Sequence, residues 1–215
     1  MQTGSRKKRP YNSARRRAQA EQTRRQIVEA ARRLFADRGY VGTTVEAIAG
    51  QAQVAPETVY AAFGSKRAVL SRLIALSVLG DEGPGSLMDR PGPMDVQREA
   101  DPRRKVALFA RDIRQIMERV TPLFEIMRTA ARTEPEIAAL LERTLAQRMR
   151  GMRHFVQLLV REGALRAGLS SEVAAETVFT ITSPEVFRLL TVDLRWPAAR
   201  YEDWLSETLT RLLFA

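Results

Sequence analysis

The sequence predicts an all-α protein in two parts: a small N-terminal three-helix domain holding a helix-turn-helix, and a larger C-terminal helical bundle. Three observations lead there. Apolar residues recur at helical spacing from Gln22 to Ile74 and again beyond Pro102, with no sustained alternation that would mark a strand. Between them, Asp81 to Asp101 carries Gly83, Pro84, Gly85, Pro91, Gly92 and Pro93 and shows no period, so it reads as a loop or linker. Charge divides at the same place. Residues 1–75 hold 15 Lys and Arg against 5 Asp and Glu, whereas residues 76–215 hold 20 against 20.

The elements follow in order. Residues 1–17 hold seven basic residues, no acid and little to bury, so a mobile basic arm is expected over 1–20. From Gln22 to Ala36 the stripe Ile27, Ala30, Ala31, Leu34, Phe35 predicts a helix, ended by Asp37-Arg38-Gly39. Thr43-Thr44-Val45-Glu46 reads as a capping box in which Thr43 accepts from the helix start and Glu46 reaches back. Val45, Ile48, Ala49 and Ala52 give that short helix one apolar face. Pro56 suits a first helical position, and the next helix runs to about Ala62 with Val59 and Phe63 inward. Gly64-Ser65 stops it and caps a further helix with the stripe Val69, Leu70, Leu73, Ile74.

Domain limits of 21–75 and 76–215 result, with 81–101 as linker. In the second part, Pro102 opens a helix to about Val120 and Thr121-Pro122 opens another to about Arg132. A third starts at Thr133-Glu134-Pro135-Glu136 and runs to about Glu162; a fourth starts at Ser170 or Ser171 and is broken at Ser183-Pro184. The last follows Trp196-Pro197.

Composition narrows function. An excess of positive charge confined to one third of the chain marks a domain that meets a polyanion, with nucleic acid ahead of an anionic membrane surface. There is no cysteine, and His154 is the single histidine, so thiolate and histidine-cluster metal sites are excluded. No metal or cofactor is expected, and an enzyme is not, since neither a Gly-rich phosphate loop nor a nucleophile–histidine pair is present. No apolar run nears the roughly 18 residues needed to span a bilayer, so a cytoplasmic, nucleoid-associated protein without membrane contact is expected.

Two short helices joined by a tight turn and backed by a third can lay the second in a major groove while the first crosses the backbone. The segment TTVEAIAGQAQVAPETVYAAFGSKRAVL closely resembles the DNA-binding region of TetR-type (tetracycline-repressor-like) transcriptional regulators, over about residues 22–74. The resemblance implies an all-helical homodimer on a palindromic operator, with a larger domain that dimerises and binds a small-molecule effector. It implies phosphate contacts at Thr43, Thr44, Tyr60 and Lys66, and base contacts at the exposed helix start Pro56, Glu57, Thr58. By chemistry alone, Glu57 suits a cytosine amino group, and Thr58 or Ala61 a thymine methyl. Arg15, Arg16 and Arg17 of the arm suit a minor groove. The chain departs from the family at Gln53, where Gly is usual, and at Ala55, where Ser is usual. Ala55 cannot cap the recognition helix. Plainer readings exist for single residues: Tyr60 as core, Lys66 as a surface lysine, Thr43 and Glu46 as caps. Their joint spacing favours DNA.

The second domain says less. The last two helices, Ser171–Val192 and Ala198–Phe214, are expected to form the dimer contact. Phe109, Met117, Phe124, Met127, Met152, Phe155 and Phe179 fall at helical spacing; they suit core, and some suit a pocket for the effector. Arg148, Arg150 and Arg153 read as a solvated face or as a site for an anionic effector. The leading function is a sequence-specific regulator, a repressor released from its operator by the effector. The alternative is a sequence-neutral DNA or anionic-surface binder driven by the basic arm.

Overall fold

The computed structural model describes residues 12–80 and 87–214, which are helical with no strand among them. The chain separates into two compact units, one up to Leu73 and one from Ile74 onward.

In the first unit, α1 spans Asn12–Arg38, α2 Val45–Ala52 and α3 Pro56–Phe63, and α4 begins at Lys66 and runs to Leu79 across the boundary. The expected stripe of α1 is buried: Ile27 and Phe35 are fully covered, with Ala30, Ala31 and Leu34. Ile48 and Ala49 of α2, Val59 of α3, and Val69, Leu70 and Leu73 of α4 are likewise buried. Each large aliphatic enclosed in this way contributes roughly 1.5–3 kcal/mol. Gly39, at φ 67°, ends α1, its N–H donating to the Phe35 carbonyl at 3.0 Å. Ser65 caps α4, its Oγ accepting from the Ala68 N–H at 3.2 Å.

Here the structure corrects the expected arm. Helix α1 starts at Asn12, so Arg15, Arg16 and Arg17 stand on a helix, with Arg17 exposed. The rest of the expected arm, residues 1–11, lies outside the described residues. From Arg15 to Gln26 no residue of α1 is buried, so this stretch, roughly 18 Å long, is held by its own backbone bonds and by pairs such as Arg24–Glu21.

The second unit contains a 3₁₀ turn Leu87–Asp89, α5 Pro91–Arg98, α6 Pro102–Ala130, α7 Pro135–Arg161, α8 Ser171–Ile181, α9 Pro184–Arg188, a π turn Leu189–Asp193, and α10 Ala198–Leu213. Within the expected linker 81–101, Leu87–Asp89 and Pro91–Arg98 are thus helical. Pro91 and Pro93 sit in the first turn of α5, where a missing N–H costs nothing, and Pro93 and Val96 are buried. Residues 81–86 lie outside the described residues.

A second correction concerns Pro122. The proline predicts two helices meeting at Val120 and Thr121, but α6 is continuous. The ring of Pro122 faces solvent while Val120, Thr121, Leu123, Phe124 and Met127 are buried without a change of register. Burial on both sides offsets the roughly 3 kcal/mol that an internal proline costs. The break expected at Ser183-Pro184 does occur. Ser183 caps α9 through the Val186 N–H, because the preceding helix has already ended at Ile181. The core of this unit gathers Tyr201, Leu205, Leu209 and Leu213 of α10 with Ile137, Val156 and Leu159 of α7 and the α6 stripe.

Candidate nucleic-acid interface

Helices α2 and α3 meet at a turn made by Gln53, which takes the left-handed conformation at φ 56°. Its N–H donates to the Gly50 carbonyl at 3.2 Å, and the Val54 N–H donates to the Ala49 carbonyl at 3.0 Å. The turn that usually carries glycine is thus built with glutamine, at a cost of about 1 kcal/mol or more for the side chain's crowding. Ala55 precedes α3 in extended conformation and supplies no side-chain cap, leaving Pro56 and the first N–H groups to open the helix.

Exposure on α3 sorts its residues. Val59 is buried and anchors the helix, while Glu57, Tyr60 and Ala61 are exposed or nearly so and Pro56 and Thr58 lie beside them. Tyr60 is 49% exposed, unusual for so large a ring, so it is not a core residue. Its hydroxyl can donate to a phosphate, and Glu57 can accept from a cytosine amino group.

The two threonines part company. Thr44 is the cap of α2, its hydroxyl accepting from the Ala47 N–H at 3.1 Å. Because a hydroxyl also carries a donor, exposed Thr44 can cap and give its proton to a phosphate together. Thr43, expected both to cap and to meet phosphate, does neither. It is fully buried, and its hydroxyl donates to the Gly39 carbonyl at 2.8 Å and the Leu34 carbonyl at 3.1 Å, closing the end of α1. The expected capping box is accordingly absent, since the cap lies one residue later.

Lys66 also differs from the expectation. Its ammonium donates to the Tyr40 carbonyl at 2.8 Å and the Thr43 carbonyl at 2.7 Å, and sits 4.1 Å from the centre of the Tyr40 ring. Tyr40 is itself buried against Phe35, ring to ring at 5.6 Å. Lys66 therefore braces the α1–α2 junction from the start of α4.

Three features escaped the sequence. Val41 is 62% exposed at the head of α2, and no periodicity covers a turn residue. Beside it, Gly42 has no room for a side chain: a Cβ would lie 2.5 Å from the Arg38 carbonyl oxygen. Arg25 and Arg33 line an open groove of about 390 Å³ with Gln51 and Gln53, where α1 passes the end of α2. The signal for Arg25 was its place two residues before the first stripe position, Ile27.

The residues suggested for an effector pocket lie in the second unit. Six are buried: Phe109, Met117, Phe124 and Met127 on α6, Met152 and Phe155 on α7. Phe109 and Phe155 stack at 3.7 Å. Phe179 of α8 is only half-buried. Of the three arginines on α7, Arg150 is exposed and Arg153 pairs with Glu172 at 2.6 Å, whereas Arg148 turns inward to α8. Among the described residues there is no cluster that could hold a metal, and no helix is long and apolar enough to cross a membrane.

The profile of the family described as "Bacterial regulatory proteins, tetR family" matches residues 27–73, the first unit almost to its boundary. No curated protein matches the sequence. Solved structures extend the likeness in fold to both units. FadR of Bacillus subtilis, a transcriptional regulator solved with stearoyl-CoA, is 21% identical at a TM-score of 0.68, over 87% of this chain and 98% of that one. The fatty acid degradation regulator FadR of Bacillus halodurans is 18% identical at a TM-score of 0.66, over 86% and 93%. PfmR of Thermus thermophilus, a TetR-family transcriptional regulator, is 21% identical at a TM-score of 0.59, over 87% and 96%. Residues 27–73 thus match the model of that family, and the all-α fold of the chain is the one these solved regulators have.

Proposed function

We propose that this chain is a tetR-type sequence-specific DNA-binding regulator, a homodimeric repressor that leaves a palindromic operator when a small molecule fills the second unit. The observation that carries the reading is the exposed edge of α3: Glu57, Tyr60 and Ala61 face outward on a helix fixed from behind by Val59. Thr44 and Tyr60 supply phosphate contacts, Pro56, Glu57, Thr58 and Ala61 face base edges, and Arg15, Arg16 and Arg17 extend the contact along α1. Thr43 and Lys66 act behind this surface, setting the angle between α1 and α2.

Exposed apolar residues support the dimer. The large exposed hydrophobic residues among those described are Val41 and Tyr60 in the first unit and Val160, Val173, Leu189, Val192, Leu194 and Leu212 in the second. Five of the latter six lie on α8, α10 and the segment between them, where an isologous contact through the last helices would cover them. Release by an effector follows only if it binds the free and DNA-bound spacings unequally. That FadR of Bacillus subtilis holds stearoyl-CoA supports a ligand-responsive second unit here.

A competition experiment tests the regulator. Labelled DNA from upstream of the chain's own gene should be displaced by the same unlabelled DNA at far lower concentration than by random DNA. Equal displacement by both would refute sequence specificity and favour a sequence-neutral basic binder.

A further inference from the structure

Gln53 stands in a turn where glycine is usual, and it holds the left-handed conformation at φ 56° without glycine's freedom. Strain kept in a native turn points to work done by the side chain that causes it. Nothing inside the described fold uses that side chain. The Gln53 backbone N–H is taken by the carbonyls of Ala49 and Gly50, while the exposed side-chain amide makes no hydrogen bond among the described residues. The amide of Gln51, on the last turn of α2, is in the same state.

Both glutamines line the groove of about 390 Å³ where α1 passes the end of α2. Arg25, Gln26, Glu29 and Arg33 form its other wall. The two arginines are eight residues apart, or about 12 Å along the helix. The acid in that wall does not cancel them. Glu29 lies 3.3 Å from Arg32 and 3.2 Å from Arg33, so two guanidiniums share one carboxylate. Glu21 is shared in the same way, at 3.9 Å from Arg24 and 4.0 Å from Arg25, both too long for a hydrogen bond. Four arginines against two carboxylates leave two positive charges, and Arg25 is the less engaged arginine of the groove. Cationic and amide donors around an open polar groove suit an anion with several acceptor oxygens.

Position selects the anion. At one end the groove continues the stretch from Arg15 to Gln26, where Arg15, Arg16, Arg17 and Arg24 stand and no residue is buried. At the other, Gln53 is three residues, and at most about 11 Å of chain, from Pro56 at the start of α3. We propose that Arg25 and Gln53 form a seat for a backbone phosphate of DNA, joining the arginines of α1 to the recognition helix in one track. This rests on the DNA-binding reading above and adds two residues to its interface. Glutamine in place of glycine costs the turn some stability and places a donor at the edge of that interface. A phosphate held there would fix the register of α3 on the duplex without reading sequence.

The test uses the full chain on labelled DNA from upstream of its own gene and on random-sequence DNA. Affinity is measured by fluorescence anisotropy from about 50 to 300 mM salt. Arg25→Gln should reduce the slope of log affinity against log salt by about 1 on both DNAs. Gln53→Gly should weaken binding to both by about three- to tenfold with the slope unchanged, because an amide carries no charge. Its melting temperature should be equal or higher, since glycine removes the left-handed crowding. A glutamine merely tolerated in the turn predicts unchanged or tighter binding alongside that melting temperature. The double variant should lose less than the product of the single losses, because two donors on one phosphate are coupled. Parent-like affinity in Gln53→Gly or a parent-like slope in Arg25→Gln overturns the seat. So does a Gln53→Gly loss confined to the upstream DNA, which would make the glutamine a base reader. Equal parent affinity for both DNAs, with the variant losses intact, would defeat sequence specificity and not the seat. Preference for the upstream DNA with unaltered variants would defeat the seat alone.

Discussion

Replacing Lys66 by Met separates a brace from a phosphate anchor. The substitution keeps the length of the side chain and removes two hydrogen bonds, at 2.8 Å to the Tyr40 carbonyl and 2.7 Å to the Thr43 carbonyl. It also removes the ammonium 4.1 Å from the Tyr40 ring. Hydrogen bonds to a charged donor contribute about 1.5–3 kcal/mol each, and a cation over an aromatic face about 0.5–2 kcal/mol. Lys66 is half-buried, so water recovers part of this, and a loss of about 2–4 kcal/mol at the α1–α2 junction is expected. Both tryptophans lie in the second unit, so their fluorescence would miss the change. Amide hydrogen exchange reads it directly. Protection at Gly39, Thr43 and Ile48, whose N–H groups close this junction, should fall by roughly 30- to 1,000-fold. Operator affinity should fall as well, but with its slope against log salt unchanged. Protection within about threefold of the parent, together with a slope smaller by about 1, would refute the brace and restore Lys66 as a phosphate contact.

Three further outcomes are expected. Gly42→Ala places a Cβ 2.5 Å from the Arg38 carbonyl oxygen and should destabilise the first unit by about 1–3 kcal/mol, read by calorimetry; an unchanged melting profile would show that the turn yields freely. Tyr60→Phe should leave that profile unaltered and weaken operator binding by about three- to tenfold, and equal affinity would remove its hydroxyl from the interface. Asp112 of α6, whose carboxyl lies beside Gly92 of α5, is pushed up by burial to about 6, against the opposing charges of Arg119 and Arg111. A carboxyl raised in the folded state adds stability that is present below about pH 4 and lost as pH rises through about 6. Asp112→Asn should therefore flatten stability between those values and add about 2–3 kcal/mol at pH 7, and a parallel pH profile in parent and variant would contradict it.

Much of the fold was legible because its determinants are local. The stripe of α1, Pro56 at the start of α3, the Ser65 cap and the break at Pro184 each depend on residues within one or two turns, and each lies where spacing placed it. The departures also share a cause. Thr43 and Thr44 have equal capping chemistry, and only the return of α1 through Gly39 decides which one is enclosed. Pro122 and Pro91 look alike as helix breakers. One sits exposed within a helix whose apolar face is buried on both sides of it, and the other opens a helix that residues further along the chain cover.

The sequence by itself determined that this is an all-α protein with a basic helix-turn-helix at one end, because helical period, caps and charge partition are summed over neighbours in the chain. The tertiary structure alone decided where individual polar groups go. Arg148, Arg150 and Arg153 are indistinguishable as a run, yet one is taken into the end of α8 while the others meet water or Glu172. Successive helical residues point about 100° apart, so spacing assigns a face. The partner across that face comes from a helix tens of residues away, and its identity follows from packing rather than from anything adjacent in the chain.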